Sequence, residues 1–266
     1  MLTVLLLVST AYGAGTVTLS LTSPSNGLLL PPGSSVAWTI TASVSSGDNL
    51  GLAMISVDLA QSASNPAFFD IPPAQGVPSG MACFDRSGGI SNPPPGGQAS
   101  GYCGTRVGTA GQRNLVQIGG AQNVFGASFG GIGTDVDVDQ GIGQGPQGQV
   151  IAAGVLTAPS APGSYTFSIQ NAIANTLTQV NPAPQWSVVG PAAPTITGGT
   201  ISFDVCRAGD ANGDSYVTEG DIEPFVLFLT GLQTPSAAAR CSCDMNADGI
   251  LDGEDIQPFV EALLAS

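Results

Sequence analysis

Two stretches near the C-terminus place side-chain oxygens at every second residue. They are GDANGDSYVTEGDIEPFVLFL, residues 209–229, and CDMNADGILDGEDIQPFVEALL, residues 243–264. Aligned on their aspartates, the first sets Asp210, Asn212, Asp214, Tyr216, Thr218 and Asp221 at places 1, 3, 5, 7, 9 and 12 of a loop. The second sets Asp244, Asn246, Asp248, Ile250, Asp252 and Asp255 at the same places, 34 residues on. Those are the oxygen-donor places of a twelve-residue EF-hand-type loop, in which place 7 offers its backbone carbonyl. Carboxylates crowded this closely repel one another unless a cation sits among them. A hard divalent ion relieves that repulsion, and calcium accepts irregular oxygen cages that magnesium resists. The bland alternative is a pair of solvated acidic turns closed by Asx-turns. Two copies in register, each with the same sequel, weigh against it.

That sequel is what must hold the loops. After Asp221 the apolar residues Ile222, Phe225, Val226 and Leu229 follow at helical spacing, and Ile256, Phe259, Val260, Leu263 and Leu264 follow Asp255 in the same way. Pro224 and Pro258 occupy equivalent first-turn positions, where proline costs a helix little. The link TGLQTPSAAAR reads as a turn with a short helical piece.

Paired loops of the form D-x-N-x-D-G-x-V-x-x-x-D-[IV], each running straight into an F helix, resemble a type I dockerin module, over residues 206–266. The resemblance implies two bound calcium ions and a plug that docks onto a cohesin module, assembling extracellular complexes that are often polysaccharide-degrading. Such modules contact the cohesin through places 10 and 11, here Glu219, Gly220, Gly253 and Glu254 rather than the usual Ser-Thr pair. Ser215 stands where the first loop wants glycine, and the flanking cysteines lie outside the pattern. The second loop offers four carboxylates and Gly249 against three carboxylates in the first, with Thr218 acting through water. It is expected to fill first.

Upstream the periodicity is two. Val17, Leu19 and Leu21 alternate with Thr and Ser, as do Val36, Trp38 and Ile40, then Tyr165, Phe167 and Ile169, then Ile201 and Phe203. Such alternation marks strands with one face in a core. LAMISVDLA, NLVQIGG, VFGASF and QVIAAGVL add further strands, giving eight or nine between Gly/Pro/Ser/Asn turns. The expected architecture is mainly β: a jelly-roll or cohesin-like β-sandwich over residues 15–205, followed by a small helical dockerin-like module with two calcium loops. The layout of GLAMISVDL early and VIAAGVLTAPSAPGSYTFSIQNA late faintly resembles a cohesin or carbohydrate-binding sandwich. Residues 1–14, with the apolar run Leu2–Val8, read as a truncated secretory signal peptide.

Export permits disulfides. Cys83 and Cys103 bracket a Gly/Pro-rich excursion that a bridge would hold. Cys206 precedes the first acidic loop, and Cys241 and Cys243 precede the second; one of these two joins Cys206. Asp135, Asp137 and Asp139 would share a strand face, as a solvated edge, a third metal site or an inverting carboxylate pair.

Composition narrows the function. The net charge is −14, with five arginines and neither lysine nor histidine. That argues against nucleic acid and anionic membranes as partners, and it removes Ser-His-Asp and Cys-His catalysis. No run after the first residues is apolar enough to span a membrane. The leading expectation is a secreted, non-enzymatic scaffold or surface protein whose calcium module docks onto a cohesin-like partner or another copy of the chain. A carbohydrate-binding component needs an exposed aromatic strip, and a glycoside hydrolase needs two carboxylates facing a cleft. With eight acids before residue 206, three of them in one run, the hydrolase is the thinnest reading.

Overall fold

The computed structural model describes residues 15–72, 102–121, 141–179 and 188–266. The expected leader over residues 1–14, the strand VFGASF, the Asp135, Asp137 and Asp139 cluster and the Cys83–Cys103 bridge fall outside what is described.

The chain is mainly β, with eleven strands and three short helices among the described residues. The strands are β1 (Val17–Thr22), β2 (Leu29–Leu30), β3 (Ser35–Val44), β4 (Leu52–Gln61), β5 (Tyr102–Val107), β6 (Asn114–Ala121), β7 (Gln149–Thr157), β8 (Gly163–Gln179), β9 (Val188–Ala192), β10 (Pro194–Ile196) and β11 (Thr200–Val205). They form two sheets. One runs β10-β1-β3-β7; the other runs β2-β11-β8-β4-β6-β5, with β9 also paired to β8. The inward faces of both sheets supply one continuous core. This is a β-sandwich, and the period-two residues named above line its interior: Val17, Leu19, Val36, Ile40, Tyr165, Phe167 and Ile201 are fully buried.

Trp38 shows how the sequence builds that core. Its indole is 1% exposed, and directly across the β3–β7 ladder stands Gly154. A Cβ added at Gly154 would lie 2.4 Å from the Trp38 ring, so the missing side chain is the space the indole fills. In the same core Tyr165 stacks on Phe203 at 5.6 Å. Its hydroxyl donates to the Ala161 carbonyl at 2.7 Å, so burial leaves no phenol unpaired.

The seven-stranded sheet carries a feature that alternation does not reveal. Its ladders slip on both sides of β4 near Asp58. Gln117 and Asn171, in the two neighbouring strands, take left-handed backbone with φ 59° and 48°. The Asp58 carboxylate accepts from the Gln117 N–H at 2.9 Å and from Asn171 Nδ2 at 2.8 Å, so one side chain holds both bulges.

Strands end at Val205. Beyond them lie helices α1 (Ile222–Leu229), α2 (Ala237–Cys243) and α3 (Ile256–Ala265). α1 and α3 are each preceded by a 3₁₀ turn, residues 219–221 and 253–255. The short helical piece expected between the repeats is α2. No described helix is long and apolar enough to cross a membrane.

Candidate metal centre

Both acidic loops fold in closely similar ways. In the first, Asp210 at place 1 accepts from the Gly213 and Ser215 amides at 2.8 and 3.0 Å. In the second, Asp244 accepts from the Asp248 and Gly249 amides at 3.1 and 3.0 Å. Asn212 accepts from the Asp214 amide and Asn246 from the Asp248 amide. Asp214 accepts from Tyr216, and Asp248 from Ile250. At place 12 Asp221 spans the loop, taking the Asn212 amide on one oxygen and the Thr218 amide on the other. Asp255 does the same with Met245, Asn246 and Asp252. Thr218 and Asp252 at place 9 complete capping boxes with those place-12 carboxylates, which start the exiting helices.

Each carboxylate is therefore directed by local amides. Among the described residues no three acidic or thiol side chains are drawn close enough together to form a metal cage. The electrostatics are nevertheless unbalanced. Asp221 and Asp255 are fully buried, and Asp210 and Asp244 are 7% and 5% exposed. The ion pair found among the described residues joins Arg106 to Asp70, and none reaches these four. Burial, with the Asp255 and Asp248 charges close by, holds the Asp244 carboxyl above the usual carboxylate range, although two amides pull the other way. Buried anions without a cation are costly. The donor set of carboxylates, an amide oxygen and a hydroxyl is what calcium takes, so the residues present fit that ion.

The loops meet across a small interior of Ala211, Phe225, Cys243 and Phe259. Phe225 and Phe259, equivalent residues of the two repeats, stack with centroids 3.9 Å apart. Cys243 is buried between the loops, and its thiol is pushed up to about 12 by burial and by Asp221, Asp255 and Asp210. It is left unpaired because the bond runs from Cys206 to Cys241. That resolves the choice between Cys241 and Cys243. The two sit 200° apart around α2, and only Cys241 faces the strand end.

Two sequence expectations are altered. The helical stripes are not wholly interior: Phe225 and Phe259 are buried, whereas Ile222, Val226, Ile256 and Val260 are each between 42% and 46% exposed. The small interior fully buries one large residue per helix, with Phe228, Leu229 and Leu263 packed partly buried against it. The second alteration concerns strain. Ser215 does take left-handed backbone, with φ 73°, where Gly249 has 86°. But at place 4 the roles reverse: Ala247 has φ 60° where the first loop has Gly213 at 79°. Each loop thus bears one strained non-glycine, so only the carboxylate count still ranks them. Ser215→Gly is expected to stabilise the first loop by about 1 kcal/mol, read as a raised midpoint of the helical signal in thermal unfolding.

Glu219, Gly220, Gly253 and Glu254 sit exposed on the two 3₁₀ turns, beside the exposed helix residues. Tyr216 and Ile250 are 69% and 59% exposed.

No family profile matches the chain, and no curated protein does. Among solved structures, a cohesin module from the Clostridium perfringens ATCC13124 family 33 glycoside hydrolase matches with a TM-score of 0.30 and 9% identity. The match covers 68% of this chain and 100% of that one. Similarity at that level carries no argument about what this chain binds.

Proposed function

We propose that the chain is a secreted, non-enzymatic component of an extracellular assembly, whose residues 206–266 bind two calcium ions and dock onto a cohesin-like module of another protein or of a second copy. The observation that supports it most is the pair of closely similar loop networks, each burying place-1 and place-12 carboxylates with no cationic side chain of the described residues ion-paired to them. A bound ion turns that liability into stability. Extracellular modules of this kind hold calcium at about 10⁻⁴–10⁻³ M, and at ten times Kd each site adds about 1.4 kcal/mol. The docking surface would be the exposed apolar residues Ile222, Val226, Ile256 and Val260, rimmed by Glu219, Glu223, Glu254 and Glu261. A partner of matching shape would carry Lys or Arg around an apolar centre.

The carbohydrate-binding reading loses one of its platforms, because Trp38, one of two tryptophans, lies in the core. Calcium titration of the full chain by calorimetry, with far-UV circular dichroism before and after EGTA, tests the proposal. Two binding events and a chelator-sensitive helical signal are expected. Unchanged helicity with no heat of binding would remove the reading.

A further inference from the structure

The Cys206–Cys241 bond lies at the entrance to both loops. Cys206 is four residues before Asp210, and Cys241 three before Asp244. On one side the bond is anchored in the sandwich, where the Cys206 amide donates to the Leu30 carbonyl of β2 at 3.0 Å. On the other it grips α2, whose Ser242 carbonyl accepts from the Gly209 amide at 2.7 Å. The opposite side of α2 carries Cys243 into the interior shared by the loops. α2 is therefore a strut between the last strand and both acidic loops, and the bond spans 35 residues of chain. The covalent tie holds α2, and with it the starts of both loops, against the end of the sandwich.

We infer that the Cys206–Cys241 disulfide sets the calcium affinity of both loops, so that its reduction weakens calcium binding. The inference rests on the calcium reading above. A site present in only a fraction of molecules binds with its intrinsic Kd divided by that fraction, and opening the tie lowers the fraction with both loops formed. The chemistry is a two-electron exchange: a dithiol reductant breaks the S–S bond, delivers two electrons and two protons to give two cysteine thiols, and is itself oxidised to a cyclic disulfide.

The test compares calcium titrations of the full chain by calorimetry in four forms: oxidised, reduced with dithiothreitol, Cys206→Ser/Cys241→Ser, and Cys83→Ser/Cys103→Ser. The oxidised form and the Cys83/Cys103 variant are expected to bind alike. The reduced chain and the Cys206/Cys241 variant are expected to bind at least tenfold more weakly, with reoxidation restoring the reduced chain. Should the Cys206/Cys241 variant never order its helices, even in saturating calcium, that loss supports the inference provided the sandwich strands persist in circular dichroism. Affinity within threefold of the oxidised chain in both tie-free forms overturns this inference alone. An oxidised chain that takes up no calcium overturns the calcium reading and this inference with it.

Discussion

Asp221→Asn combined with Asp255→Asn is expected to erase the calcium-dependent part of the tail's stability. Wild-type chain at ten times Kd gains about 3 kcal/mol over chelated chain, from two sites of about 1.4 kcal/mol each. The double variant gains nothing. Asparagine keeps one amide-accepting oxygen at each place, so the loop can still close, but the buried charge that calls for a cation is gone. The comparison separates two roles for the same residues. Asp221 and Asp255 also complete capping boxes, and caps are worth about 0.5–2 kcal/mol whatever the metal. If capping were their whole purpose, the variant would lose the same stability in calcium and in EGTA. Thermal unfolding of the helical signal in both buffers decides between them.

Trp38→Ala is expected to cost the sandwich about 3–5 kcal/mol, the usual toll for emptying a buried aromatic site. The cavity would be hard to close. Gly154 opposite offers no side chain to move in, and the flanking Val36 and Ile40 already fill their own places. Urea unfolding followed by the strand signal in circular dichroism measures the loss as a lowered midpoint. A change below about 1 kcal/mol would mean that the indole is not the keystone its burial indicates. Gly154→Ala probes the same contact from the other strand: its Cβ must displace the ring, and overpacking of that kind costs about 1–3 kcal/mol.

The two acidic loops were legible because each is written within twelve residues. A carboxylate two, three or five positions from an amide meets it through local backbone geometry, so spacing alone announces the fold of the loop. The alternation in β1, β3, β8 and β11 was legible for a similar reason, since a strand's faces repeat every second residue. Elsewhere local pattern misled or was silent. Of the stripe Ile222, Phe225, Val226, only Phe225 is buried, stacked on its counterpart Phe259. Nothing local marks Ala247 as left-handed; register against Gly213 would have flagged it. Nor does SVDLA announce that Asp58 will hold Gln117 and Asn171, which lie 59 and 113 residues away.

By itself, then, the chain's text determined where strands and acidic loops lie, because those follow from spacing over a few residues. Tertiary structure decided that Cys206 takes Cys241 while Cys243 is sealed among carboxylates. It also decided that β8 shares its length between β11 and β9, and that Ile222, Val226, Ile256, Val260 and Leu264 on the helices face outward. Those outcomes depend on which distant surfaces meet. Contacts between elements separated along the chain are set by the packing of whole sheets and helices, a quantity that no short window of sequence contains.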